Sequence, residues 1–115
     1  MITLFGIKNC DSCRRAKKWL AENKIDFNYF DLREDALTVD MISDWKTSIG
    51  LDALINRRGT TWRLLPKQLR DNFPNSNADK IIFENPTLLK RPIINKDGEI
   101  SVGFSKEIQE NLLSK

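Results

Sequence analysis

Apolar residues change their spacing several times along this chain, and each change marks an element. Ile2-Thr3-Leu4-Phe5 is short, β-branched and aromatic, and it stops at Gly6, which predicts a buried first strand. From Ser12 or Cys13 the apolar positions Ala16, Trp19 and Leu20 fall at helical spacing, with Arg14, Arg15, Lys17 and Lys18 on the other face and Asn23 as the stop. Asp26 to Asp31 then alternates as a second strand, Phe27 and Tyr29 facing away from Asn28 and Phe30. Strand, helix and strand within the first 31 residues suit a right-handed parallel crossover.

The middle of the chain reads as helical. Thr38 caps a helix carrying Met41, Ile42, Trp45 and Ile49, and Gly50 ends it in a left-handed conformation. Leu51 to Ile55 is a short apolar helical piece, followed by the polar run Asn56-Arg57-Arg58-Gly59-Thr60-Thr61-Trp62; Pro66 to Phe73 and Asn77 to Phe83 are two more short helices. Asn85-Pro86 breaks the pattern. Strand character returns at Pro92 to Asn95 and at Ile100 to Phe104, joined by the hairpin signal Asp97-Gly98. A final helix starts at Ser105 and buries Ile108, Leu112 and Leu113.

The element order is therefore β-α-β, a helical stretch, then β-β-α. That order predicts an α/β thioredoxin-like fold with an all-helical insertion between its halves: one domain over residues 1–115, the insertion at about 36–86. A chain of 115 residues, 40% hydrophobic, can bury one such core and has little room for a second. Its 19 basic and 16 acidic residues are spread evenly, and a net charge of +3 is too weak to imply nucleic acid or membrane binding. No apolar run approaches the roughly 20 residues of a membrane span, and no leader pattern opens the chain, so a cytoplasmic location is expected.

Against that background the two cysteines gain weight. Cys10 and Cys13 lie three residues apart at a strand-to-helix junction, with Lys8, Arg14 and Arg15 nearby. The first amides of a helix point outward unbonded and carry partial positive charge, which favours thiolate over thiol. Cys10, at or just before the cap, is the expected attacking thiol. Cys13, one turn along and shielded, is the expected resolving thiol. The plainer alternative is two small buried hydrophobes. With no histidine in the chain, His-based acid/base chemistry and His metal ligation are excluded, and two Cys alone are half of a structural zinc site.

Two further stretches carry candidate chemistry. Arg91-Pro92 precedes a strand, where a cis peptide could bring backbone beside the thiols or where it could be an edge proline with a surface arginine. Arg57 to Trp62 combines guanidinium forks, a glycine and two hydroxyls, a set suited to an oxyanion or carboxylate and equally to a solvated loop. Trp19, Trp45 and Trp62 are expected to be core residues.

Three segments in order, Ile2-Thr3-Leu4-Phe5-Gly6-Ile7-Lys8-Asn9-Cys10-x-x-Cys13, Asn56-Arg57-Arg58-Gly59-Thr60-Thr61-Trp62-Arg63 and Asn85-Pro86-x-Leu88-Leu89-Lys90-Arg91-Pro92-Ile93-Ile94, resemble the arsenate reductase (ArsC)/Spx family of thioredoxin-like proteins, most of all its short YffB-type branch. The resemblance covers almost the whole chain. It implies the thioredoxin-like fold with a helical insertion, and three possible activities.

Arsenate-reducing members use one Cys in a Cys-x-x-x-Arg loop, matched by Cys10 and Arg14, with three further arginines on the oxyanion. Arg91 beside Pro92 matches one, and Arg57 or Arg58 a second. The third is missing, since Gly103-Phe104-Ser105 stands there, and Gly6 stands where those members have a histidine. One lost fork removes a charge-assisted bond worth about 1.5–3 kcal/mol, which disfavours arsenate against thiol substrates. Spx-type members use Cys-x-x-Cys as a disulfide switch and bind the RNA polymerase α subunit, and Gly50 lies close to a glycine of that contact. YffB-type members resemble glutathione-dependent thiol reductases.

The resemblance thus favours a thiol oxidoreductase working through Cys10 and Cys13, with Arg14, Arg58, Arg91 and Pro92 at an anionic group. No tightly bound cofactor or metal is expected. Glutathione is the expected co-substrate, or a glutaredoxin/thioredoxin-type protein the reductant, acting on a monomer. A redox-switched regulator and an arsenate reductase are the alternatives.

Overall fold

A computed structural model of the chain describes residues 1–73 and 77–114, in two compact units. The first unit joins Met1–Ala36 to Arg91–Lys115. Its strands are β1 (Ile2–Gly6), β2 (Phe27–Asp31), β3 (Ile93–Lys96) and β4 (Glu99–Val102), in the sheet order β2-β1-β3-β4. β1 runs parallel to β2 and antiparallel to β3, and β3 pairs antiparallel with β4. With the helices α1 (Asp11–Glu22) and α7 (Lys106–Leu113), this is the βαβ plus ββα of the thioredoxin-like fold.

Alternation along the strands sorts the two faces. Leu4 is in register with Tyr29 on one side and Ile94 on the other, and this face meets the helices. Ile2, Leu4, Ala16, Leu20, Ile94 and Leu112 form the core there, with Trp19, Phe27, Tyr29, Phe104 and Ile108 packed partly buried against it. Phe5 and Phe30, neighbours in register on the opposite face, meet with ring centroids 5.4 Å apart.

Local chemistry fixes the junctions. Asn23 closes α1 by donating from its amide to the Trp19 carbonyl at 2.8 Å. Asp97 (φ 53°) and Gly98 (φ 96°) both take positive φ, as a two-residue hairpin turn requires, and the Asn95 side chain accepts from the Gly98 N–H at 2.7 Å. Ser105 caps α7, its hydroxyl accepting from Ile108 N–H at 3.3 Å. Lys96 holds the other end, donating to the carbonyls of Asn111 and Ser114 at 2.6 and 2.7 Å. Leu113, expected inside, is 55% exposed: in a helix of 8 residues Ile108 and Leu112 take the inward stripe and Leu113 turns out of it.

The second unit, Leu37–Lys90, holds α2 (Val39–Ile49), α3 (Leu51–Leu54), α4 (Thr60–Leu64), α5 (Lys67–Asp71) and α6 (Ala78–Glu84), then a 3₁₀ turn at Pro86–Leu88. Thr38 caps α2 through Met41 N–H at 3.1 Å. Lys46 on α2 pairs with Asp79 on α6 at 2.8 Å. An antiparallel bridge between Ile55 and Leu89 adds a β contact that an all-helical stretch would lack, and both residues are buried.

Three local expectations are corrected in this unit. Gly50 does have positive φ, but at ψ 157° it is extended rather than left-handed helical, a region essentially reserved for glycine, and it starts α3 as well as ending α2. The Arg57 to Trp62 run is only half a loop, because Thr60 already opens α4. Trp45 is buried, whereas Trp62 is only half-buried, meeting Phe73 edge-on at 5.3 Å under the Arg57 guanidinium at 5.2 Å. Among the described residues no helix is long and apolar enough to cross a membrane.

Candidate active site

Cys10 is the N-cap of α1, extended at φ −135° and ψ 117°, and its carbonyl accepts from Arg14 N–H at 3.0 Å. Its sulfur therefore sits beside the open amides of the first turn, half-exposed. Cys13 is one turn inside and fully buried, and neither thiol is bridged. Ala16 and Leu20 continue the buried stripe that Cys13 begins, which draws the second sulfur inward while the first stays at the rim.

The two thiols are placed in unlike fields. Burial opposes ionisation of Cys10, but the Cys13 thiol donating to its sulfur, the facing Cys13 N–H and the Arg91 guanidinium together hold it below its ordinary value of 9.0. The Cys13 N–H does not close a capping bond of normal geometry. For Cys13, burial pushes the thiol up to about 12; the hydrogen bond to Cys10 and the charge there add to this, and the Ile7 N–H and Arg91 oppose it.

Gly6 explains how Cys13 fits. A Cβ on Gly6 would stand 2.5 Å from the Cys13 sulfur, so the thiol occupies space that any side chain there would need. The Tyr29 hydroxyl flanks the same point at 3.3 Å and is buried without a hydrogen-bond partner. The Lys17 ammonium lies over the Tyr29 ring, 4.2 Å from its centroid. The sequence places Gly6 and Ile7 in the same segment as the thiols without showing what they do there, and neither motif nor spacing assigns Tyr29 a part in this cluster. For Tyr29 the one sequence signal is its alternation with Phe27 on one side of a strand paired beside β1.

Of the arginines singled out from the sequence, Arg91 is the one that reaches the Cys10 sulfur. Arg14 pairs with Asp11 on its own helix. Pro92 is buried behind a cis Arg91–Pro92 peptide, its carbonyl accepting from Gly103 N–H at 2.8 Å. Arg58 belongs to the second unit, where with Arg57, Asp52, Asn56 and Lys90 it lines a cavity of about 450 Å³; Arg57 is engaged there by Asp52 at 3.1 Å.

A model of the ArsC family matches residues 5–111, spanning the thiol pair, the Arg57 to Trp62 run and Arg91-Pro92. The chain belongs to the ArsC family. Among its relatives, an uncharacterized protein of Haemophilus influenzae is 43% identical over 107 residues, 93% of this chain and 94% of that one. The global transcriptional regulator Spx of Staphylococcus epidermidis is 37% identical over 109 residues, 93% of this chain and 82% of Spx. Among solved structures, the YFFB (PA3664) protein superposes with a TM-score of 0.91 at 27% identity, covering 99% of this chain and 100% of that one. The chain thus shares its fold with the YFFB (PA3664) protein over nearly the full length of both, and the YffB-like and Spx branches both border this sequence.

Proposed function

We propose that this ArsC-family protein is a thiol-dependent oxidoreductase that reduces a disulfide or small oxidised substrate through Cys10. The observation that carries the reading is the opposed pair of thiols on one helix turn: Cys10 held low by donors at the cap, Cys13 buried and pushed up. The Cys10 thiolate attacks a substrate sulfur, the substrate disulfide breaks, and one half leaves as a thiolate. Cys13 then attacks the Cys10 sulfur of the mixed disulfide, releasing the second half and leaving a Cys10–Cys13 disulfide. Two electrons pass to substrate, and glutathione or a glutaredoxin/thioredoxin-type protein returns them.

In this reading Arg91 holds a carboxylate of glutathione or substrate, which its reach to the Cys10 sulfur supports, as well as favouring the thiolate. Arg58, with Arg57 and Lys90, offers a second cationic lining. Turnover of a mixed-disulfide peptide should be lost in Cys10→Ser and be milder in loss for Cys13→Ser, where glutathione takes over resolution. Undiminished turnover in Cys10→Ser sinks the reading.

A second reading, a redox-switched regulator, is favoured by the 37% identity to Spx. It requires affinity for an RNA polymerase α subunit that differs between dithiol and disulfide forms. Pull-downs in both states test it, and retention of no polymerase subunit in either counts against it.

A further inference from the structure

An orphaned buried hydroxyl is destabilising, so the unpartnered Tyr29 hydroxyl needs a reason for being where it is. Its surroundings supply one. The point a Gly6 Cβ would occupy lies 2.5 Å from the Cys13 sulfur and 3.3 Å from the Tyr29 oxygen, so both atoms border one small volume, and charge on Cys13 acts on the Tyr29 hydroxyl. The ring is held in place there: Tyr29 is in register with Leu4 on the face that meets α1, and Lys17, four residues beyond Cys13 on the same helix face, covers the ring.

In the dithiol state the Cys13 thiol keeps its proton and donates it in a hydrogen bond to the Cys10 sulfur, while the Cys13 sulfur accepts from the Ile7 N–H. When that proton leaves, the sulfur becomes an anion to which the Ile7 N–H donates one hydrogen bond and the Arg91 charge adds attraction, with further acceptor capacity left over. We propose that Tyr29 is a positioning residue for the resolving step, its hydroxyl donating a hydrogen bond to the Cys13 sulfur as that sulfur attacks the mixed disulfide held on Cys10. This rests on the reading of Cys13 as the resolving thiol.

The step balances without any added reactant. The Cys13 proton passes through solvent to the departing thiolate, a bond forms between the Cys13 and Cys10 sulfurs, and the bond from Cys10 to the substrate sulfur breaks with its electron pair leaving on the substrate. Tyr29 keeps its own proton throughout. The other charged or titratable groups that act on this corner are Cys10 and Lys17 from the α1 side, Asp31 and Asp35 at and after the end of β2, and Arg91 before β3.

An aromatic disulfide reagent whose thiolate absorbs visible light separates the two chemical steps in the full chain by stopped flow. The first release reports attack by Cys10, the second reports closure by Cys13. Tyr29→Phe should leave the first release unchanged, slow the second by about tenfold and move its pH profile to higher pH. Tyr29 is the one tyrosine of the chain, so biosynthetic incorporation of a ring-fluorinated tyrosine, a stronger donor, alters no other residue and should speed the second release. Second releases of equal rate and equal pH profile in the native and fluorinated chains, or in the native chain and a folded Tyr29→Phe, overturn the role of Tyr29. Absence of any second release from the native chain instead overturns the reading of Cys13 beneath it.

Discussion

At the scale of single residues, the contrast in surroundings between two chemically identical thiols comes from three residues of helix. Cys10 at the cap is open to solvent on one side and to donors on the other; Cys13, one turn on, is sealed. Alkylation by iodoacetamide, read by peptide mass spectrometry, should therefore label Cys10 first and already below pH 9.0, because its thiolate is favoured there, while Cys13 stays unlabelled. Replacing Arg91 by Met removes a charge-assisted donor from that thiolate and should slow Cys10 alkylation at neutral pH by about tenfold. The Cys-x-x-Cys spacing makes the placement of the pair, one thiol at the cap and one shielded a turn along, legible in the sequence. The contact of Gly6 with the Cys13 sulfur and the approach of Tyr29 to the same point are not legible there, since they arise in a meeting of β1, β2 and α1 that no local pattern encodes.

At the scale of elements, strong periodicity and cap chemistry are legible and weak periodicity is not. Thr38 before α2 and Ser105 before α7 mark helix starts that the structure shows within a residue. Truncating Thr38 to Ala leaves the Met41 N–H without its partner and should cost about 1 kcal/mol, seen as a lower urea midpoint with an unchanged slope. The Arg57 to Trp62 run reads as loop because arginines and glycine dominate it, yet Thr60 to Leu64 coils into α4, where the Thr61 hydroxyl meets that of Thr87 at 2.6 Å. Helices of 4 or 5 residues such as α3, α4 and α5 have too few turns to show a stripe, and contacts within their own unit decide them.

At the scale of the molecule, the ends of the chain build one unit and the segment between them builds the other. The order of strands and helices makes that arrangement visible, because βαβ and ββα halves separated by helical sequence leave β1 and β3 to pair across the gap. Folding also ties two weak acids to the global equilibrium. Cys13 and Tyr29 hold their protons to about pH 12 when folded, whereas the unfolded chain releases them near 9.0 and 10.0. Folded pKa values above unfolded ones mean stability that is full below 9.0 and drains away as pH rises towards 12. Urea unfolding across that window should show the decline, and Cys13→Ala combined with Tyr29→Phe should flatten it. Cys10 acts in the opposite sense, its contribution fading as pH falls through its lowered value.

The Gly6 position ties the sixth residue to the thirteenth. A Cβ added there would stand 2.5 Å from the Cys13 sulfur and 3.1 Å from its Cβ, so a side chain at 6 needs the Cys13 thiol to swing aside or α1 to shift. The small space above β1 thus holds either a side chain from the strand or the second thiol in its present place, and a larger residue at 6 would show itself first as a displaced Cys13.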